Sequence, residues 1–339
     1  MLRAVMEEKH RDASFDIAKG VGIILVVIGH AFKEYPNCIY SFHMPLFFII
    51  SGYFLSVREP VLYFAKKKAR GLLVPYLVYG LIGIVVMFVS SLFINTPVTP
   101  VDVLTSRFIA MLYGLNWYYD VPFFNVHIQR VGTFWFLPAL TVSLVVVRVA
   151  ILNRYSFVII LMCCIVGCVT SAYIRLPLDV QPGLNACLFV YIGYLSRKYA
   201  LIARRIFFSR RLFFGALIFW IAVTDFDWEL DLIMASCYYE NFTVDVVASL
   251  CMVYVVMRLS IFLNKTYKWS RGLAWLGENT LYIYCVHALS QVVIWRYSPE
   301  YHEPLLAGLS FTVYILLVPF VALYVREIVI RRRFRFVLW

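Results

Sequence analysis

Long apolar runs separated by short polar or basic clusters organise the chain. A hydrocarbon layer about 30 Å thick takes roughly 20 apolar residues as α-helix. Ten runs approach that length: 15–32, 39–56, 71–94, 132–149, 155–172, 183–196, 212–225, 242–258, 275–295 and 305–325. The pattern predicts an all-α, polytopic integral membrane protein with about ten transmembrane helices. It divides the chain into an N-terminal segment (1–14), a membrane domain (15–325) and a basic tail (326–339). One long connection, 95–131, carries RFIAMLYGLNWYYDVPFF, and its aromatic content suits the membrane interface or a re-entrant piece. No internal repeat and no soluble catalytic domain is visible, so any chemistry belongs to the helices and their loops.

The basic residues test this division. With the N-terminus in the cytoplasm and ten alternating spans, the inside segments hold 26 of the 31 Lys and Arg residues. The remaining five, Lys33, Arg107, Arg130, Arg175 and Arg296, lie in or beside outside segments. That asymmetry predicts that both termini are cytoplasmic. The first run follows a short basic N-terminus, with no small-residue cleavage site after it, and so reads as an uncleaved helix.

Composition agrees. Charged residues are 15% of the 339, too few to solvate a soluble surface of this size, while 63% are hydrophobic and the mean hydropathy is +0.81. The net charge of +12 sits in clusters between apolar runs and matches no nucleic-acid motif. The eight cysteines lie mostly inside apolar runs, without CxxC spacing.

Candidate chemistry begins in the first run, FDIAKGVGIILVVIGH, where Asp16, Lys19 and His30 interrupt the apolar pattern. A charge at the centre of a membrane helix costs about 2.5–3.5 kcal/mol on insertion scales, so such residues are functional candidates. Asp16 and Lys19 are neighbours on one helix face. Lys19 and His30 are eleven residues apart, which returns to within about 20° of the same face at a rise of about 16 Å. The three residues therefore share one stripe. They could equally be two interfacial anchors and a helix-end histidine.

Two further histidines fall at a similar depth by the alternating topology: His43, opening the second run, and His287, in the outer half of the ninth. Three histidines can bind zinc, but there is no HxH or HExxH spacing, and no metal is expected. A buried neutral imidazole suits a general base. Ser51, Gly52 and Tyr53 place a close-approach glycine between two hydroxyl groups, a pattern that also serves helix packing. Trp135, in FWFLPAL, opens the fourth run, where an interfacial belt tryptophan is the plain alternative. Lys66, Lys67, Lys68 and Arg70 could bind phosphates or meet anionic lipid headgroups.

These segments resemble the membrane acyltransferase-3 family, and within it the fucose 4-O-acetylase-like polysaccharide acetyltransferases. The family's basic residue, ten residues, then histidine corresponds to Lys19 through His30, and FHMPLFFIISGY, KKARGLLVPYL, FWFLPAL and LGENTLYIYCVH follow in the family's order. The resemblance implies an O-acetyltransferase of the cell inner (cytoplasmic) membrane. It would move an acetyl group from acetyl-CoA to a carbohydrate hydroxyl on a surface polysaccharide or its lipid-linked precursor. His30 would be catalytic as general base or acyl-accepting residue, with Lys19 as its paired basic residue and Asp16 beside it. Arg70, Lys66, Lys67 and Lys68 would hold the CoA phosphates. His43, Ser51, Tyr53, Trp135 and His287 would face the acceptor. The expected partners are the lipid bilayer, acyl-CoA and a carbohydrate acceptor, with no nucleic acid. A transporter or flippase for lipid-linked glycan would also place polar residues inside the membrane, but the chain carries no repeated halves and no pair of broken helices.

Overall fold

The computed structural model describes residues 12–31, 36–93, 99–114, 119–121, 126–128, 132–200, 207–225, 232–297 and positions 321 and 323. All but those last two positions of the tenth expected run, 305–325, lie outside the described residues, as does the basic tail. The described chain is all-helical apart from one small antiparallel hairpin. The helices are α1 (Ala13–Ala31), α2 (Pro36–Tyr40), α3 (His43–Tyr53), α4 (Val61–Phe93), α5 (Pro100–Tyr113), α6 (Phe136–Ala150), α7 (Ser156–Ser171), α8 (Val180–Lys198), α9 (Arg210–Asp225), α10 (Phe242–Thr266), α11 (Ser270–Glu278) and α12 (Thr280–Tyr297). Strands β1 (Tyr119–Val121) and β2 (Val126–Ile128) form the hairpin.

Four helices are long and apolar enough to cross a membrane among the described residues: Ala13–His30, Val61–Phe93, Thr133–Ala150 and Phe242–Thr266. Helix α7 shows why the protein belongs in lipid. It buries Ile160, Cys164 and Gly167 on one face and exposes Phe157, Val158, Met162, Val166 and Val169 on the other. An apolar face of that size is a liability in water and is at home against hydrocarbon.

Several expected elements are shifted or broken. The run 39–56 is interrupted at Ser41–Phe42, so that a short α2 precedes α3. The run 275–295 is divided at Asn279 into α11 and α12. Helix α4 starts ten residues before its apolar run, because lysine and arginine are good helix formers and do not end a helix. Within the connection 95–131, Thr99 caps α5 through the Asp102 N–H (3.2 Å), and the αL residue Gly114 ends that helix.

Helix α3 lies at the centre, with eight of its eleven residues buried against α1, α6, α8 and α10. Two glycine crossings allow this density. Gly52 of α3 faces the Val190 carbonyl of α8, and Gly193 of α8 faces the Ile49 carbonyl of α3. The same reciprocity joins α1 to α11, with Gly20 against the Leu273 carbonyl and Gly277 against the Asp16 carbonyl. A Cβ at any of the four would overlap backbone, which cannot swing aside. Gly277→Val is therefore expected to lower the unfolding temperature of the detergent-extracted protein, at an overpacking cost of about 1–3 kcal/mol. Gly71→Ala on α4 is the control, since a Cβ there meets nothing within 4 Å, and it should stabilise slightly through helix propensity. Equal unfolding temperatures for Gly277→Val and wild type would contradict the crossing.

Candidate active site

Helix α1 carries polar groups at both ends and an apolar middle. At its first end Lys19 Nζ lies 2.6 Å from Asp16 Oδ1, with the two side chains 24% and 3% exposed. Three residues of separation bring them together over one turn. The Gly20 and Gly277 crossing presses α11 onto this turn. Phe15 packs on Tyr53 (ring centroids 4.5 Å apart) and on Phe54 (4.9 Å), so the end of α3 closes the same corner.

At the far end of α1 the imidazoles gather. The rings of His30 and His287 have centroids 5.5 Å apart. Tyr40 stands between His30 (5.7 Å) and His43 (5.3 Å). His287 and His43 are buried, and His30 is half-buried. Four helices thus meet through one aromatic chain: α12 brings His287, α1 brings His30, and the corner between α2 and α3 brings Tyr40 and His43.

The hydrogen bonds assign tautomers. The Tyr40 hydroxyl donates to the Gly29 carbonyl (3.0 Å) and lies 3.2 Å from His30 Nδ1. A phenol has one proton. With that proton on Gly29, Nδ1 carries the hydrogen that the phenol oxygen accepts, and Nε2 of His30 keeps the basic lone pair. His43 Nδ1 likewise donates to the Ile39 carbonyl (2.8 Å), leaving its own Nε2 as acceptor.

The corner that holds Tyr40 and His43 is built by contacts distant in sequence. Ser41 Oγ donates to the Cys38 carbonyl (2.7 Å) and accepts from Trp220 Nε1 of α9 (3.1 Å). The Ser249 hydroxyl of α10 donates to the Ser41 carbonyl. These contacts satisfy the Cys38 and Ser41 carbonyls, which the bend would otherwise leave without helical partners. At Asn279 the side chain donates to the Trp275 carbonyl (2.7 Å), and Thr280 Oγ1 donates to the Gly277 carbonyl (2.6 Å), closing α11 before α12 departs toward His30.

The sequence candidates fall into separate groups. His30, His43 and His287 come together. Asp16, Lys19 and Tyr53 share the opposite corner, and Ser51 sits one turn or less from Tyr53 on α3. Trp135 is 8% exposed and packs edge-on to Phe136, which in turn meets Tyr284 and Phe48. A 3-10 turn, Gly132–Trp135, tucks this segment under α12. Of the basic cluster on α4, Lys66, Lys67 and Arg70 are exposed. Lys67 pairs with Glu59 at 2.8 Å, and the Lys68 ammonium lies 5.7 Å from the Phe64 ring centre. All eight cysteines are free thiols. Among the described residues no three His, Cys, Asp or Glu side chains stand close enough to share a metal ion.

Sequence reasoning missed Tyr40, whose signal was its place in the polar break between two apolar helices. It also missed Arg148, which looked like an ordinary inside charge. Arg148 is buried and donates through Nη2 to the Val57 (3.2 Å) and Glu59 (2.9 Å) carbonyls, fastening the α3–α4 loop.

The sequence profile of the acyltransferase-3 family, described as "Acyltransferase domain", matches residues 12–324. The chain belongs to the acyltransferase-3 family. The acyltransferase domain covers the whole arrangement just described, from Asp16 to His287. The chain is also 29% identical to Nodulation protein NolL of Mesorhizobium japonicum over 204 residues, 55% of this chain and 48% of that protein. It is 39% identical to Nodulation protein NolL of Sinorhizobium fredii over 84 residues, 20% of this chain and 23% of that protein. This acyltransferase-3 chain therefore spans about half the length of the first relative and a quarter of the second. No solved structure gives a significant match.

Proposed function

We infer that the protein is a multi-pass O-acyltransferase of the cell inner membrane, with about ten spans and both termini cytoplasmic. It moves an acetyl group from acetyl-CoA to a hydroxyl of a surface polysaccharide or its lipid-linked precursor. The observation that carries this reading is the imidazole of His30, met by Tyr40 at Nδ1 and lying beside His287 within an acyltransferase domain.

The chemistry follows from the tautomer. A sugar hydroxyl is a weak nucleophile and needs its proton removed as it attacks. His30 Nε2 accepts that proton while the hydroxyl oxygen bonds to the thioester carbonyl carbon. Collapse of the tetrahedral intermediate breaks the carbon–sulfur bond, and the imidazolium returns the proton to the departing CoA thiolate. The buried rings around His30 exclude water, which would otherwise compete as nucleophile. CoA enters from the basic mouth, with Lys19 and Arg70 on its phosphates and Lys66, Lys67 and Lys68 around them, and its acyl arm runs along α1 toward His30, a rise of about 16 Å.

Transfer of radiolabelled acetyl from acetyl-CoA to a panel of glycans by the purified protein tests the function. Binding of acetyl-CoA with no transfer to any good acceptor would overturn it, and glycan movement across proteoliposomes would then favour a transporter. The donor end has its own test. Arg70→Ala and Lys19→Ala are each expected to weaken acetyl-CoA binding by about tenfold, the loss of one charge-assisted contact. Unchanged affinity in both would sink the phosphate-holding role.

A further inference from the structure

Three non-glycine residues have positive φ among the described residues, and two are consecutive: Leu178 (57°) and Asp179 (49°). Left-handed backbone is unfavourable for a non-glycine residue, so it persists only where surrounding contacts impose it. Here they do. Gln181 accepts from the Leu176 N–H (2.9 Å) and donates to the Ile174 carbonyl (2.7 Å), tying down the chain just before the strained pair.

The strain aims a carboxylate inward. Asp179 immediately precedes α8, where an aspartate ordinarily turns back to cap the helix. Its side chain makes no such bond. It lies instead against Gly114, itself left-handed at φ 78°, and any Cβ on Gly114 would occupy the carboxylate's place. Asp179 is 6% exposed and its Oδ2 has no hydrogen-bond partner. Arg175 lies within electrostatic reach of the carboxylate.

A second orphan is reached through Tyr76, which bonds to the Met111 carbonyl three residues before Gly114 and packs edge-on to Phe134, the neighbour of Thr133. Thr133 is 7% exposed and its Oγ1 has no partner. The phenols nearby cannot serve either group, because their protons are committed to backbone: Tyr76 donates to the Met111 carbonyl and Tyr284 to the Thr133 carbonyl. Tyr284 also links Thr133 to the imidazole cluster, since it lies one turn before His287 on α12. A buried polar group left unmatched is costly. Two of them, linked through aromatic side chains to the helix of His287, match the hydrogen-bonding needs of a partner that brings hydroxyl groups.

We propose that Asp179 and Thr133 form the acceptor subsite, binding a neutral polyhydroxylated sugar ring through its hydroxyl groups. The carboxylate accepts one or two ring hydroxyl protons, and the Thr133 hydroxyl bonds to another. This deepens the O-acyltransferase reading and rests on it, but the site is testable apart from catalysis. Neutral methyl glycosides (fucoside, galactoside and glucoside) are titrated calorimetrically into the detergent-solubilised full chain. Wild type is compared with Asp179→Asn and Thr133→Val, and acetyl-CoA binding is measured on the same samples.

The expected result is glycoside affinity about 10- to 100-fold weaker in Asp179→Asn and less so in Thr133→Val, matching the loss of a hydrogen bond to a charged or neutral group. Acetyl-CoA affinity should not move. In the transfer assay the KM for glycan should rise in the same proportion, with kcat held. Equal glycoside affinity in all three proteins would overturn the subsite while leaving acetyl transfer standing. Parallel loss of glycoside and acetyl-CoA binding would also overturn it, since that marks a structural role. Should wild type bind glycosides through Asp179 yet transfer no acetyl group, the subsite holds and the O-acyltransferase reading falls. If Asp179→Asn does not yield folded protein, Thr133→Val and Gly114→Ala, which crowds the carboxylate, carry the same comparison.

Discussion

His30→Ala is expected to abolish acetyl transfer, with kcat reduced by about 10²–10⁴-fold, while acetyl-CoA still binds. The two effects separate because α1 is anchored independently at its two ends. The Lys19 and Asp16 turn is fixed by the Gly20 and Gly277 crossing to α11, and nothing in that corner depends on the imidazole three turns away. Removing the ring takes away the only group whose Nδ1 the Tyr40 phenol meets. His287 cannot stand in for it, because its ring packs against that of His30 rather than on Tyr40. Single-turnover transfer of label to a glycan, with binding of acetyl-CoA measured alongside, makes the check. A wild-type rate in His30→Ala would remove the residue from the chemistry. The double variant His30→Ala/His287→Ala should be no slower than His30→Ala alone, as expected for groups acting as a unit.

How much of this was legible in the sequence depends on whether local pattern or distant contact decides each feature. The stripe on α1 was legible, because helical phase alone puts Asp16, Lys19 and His30 on one face, and the Asp16 to Lys19 ion pair is a three-residue neighbour contact. That His30 and His287 share a depth was also legible, from the alternation of spans. The corner at Ser41–Phe42 was not. Apolarity runs straight through it, and the bend exists because Trp220 and Ser249, from helices far along the chain, bond to Ser41. Asn279 hid in the same way inside a continuous apolar run. Trp135 could be read as acceptor-facing or as interfacial, and what the sequence did not show is the 3-10 turn that buries it beside Phe136. Asp179 carried no signal at all: its importance lies in a backbone conformation that no periodicity encodes.

Tyr40→Phe is the sharper test of how the site is tuned. The substitution keeps the ring between His30 and His43 and removes one oxygen, so packing is preserved. What is lost is the partner of His30 Nδ1 and with it the preference for the tautomer whose Nε2 is basic. Orienting partners of this kind are worth about 10–100-fold. The fall should appear in kcat with the KM for acetyl-CoA and for glycan little changed, because the phenol's proton goes to the Gly29 carbonyl and, among the described residues, its oxygen meets His30. A structural defect would move all three quantities together. The decisive comparison is the His30→Ala background: there Tyr40→Phe should cost nothing more, since the phenol acts only through the imidazole. If Tyr40→Phe slows residual transfer in His30→Ala by the same factor as in wild type, the phenol works on substrate directly, and the tautomer assigned to His30 has to be reversed.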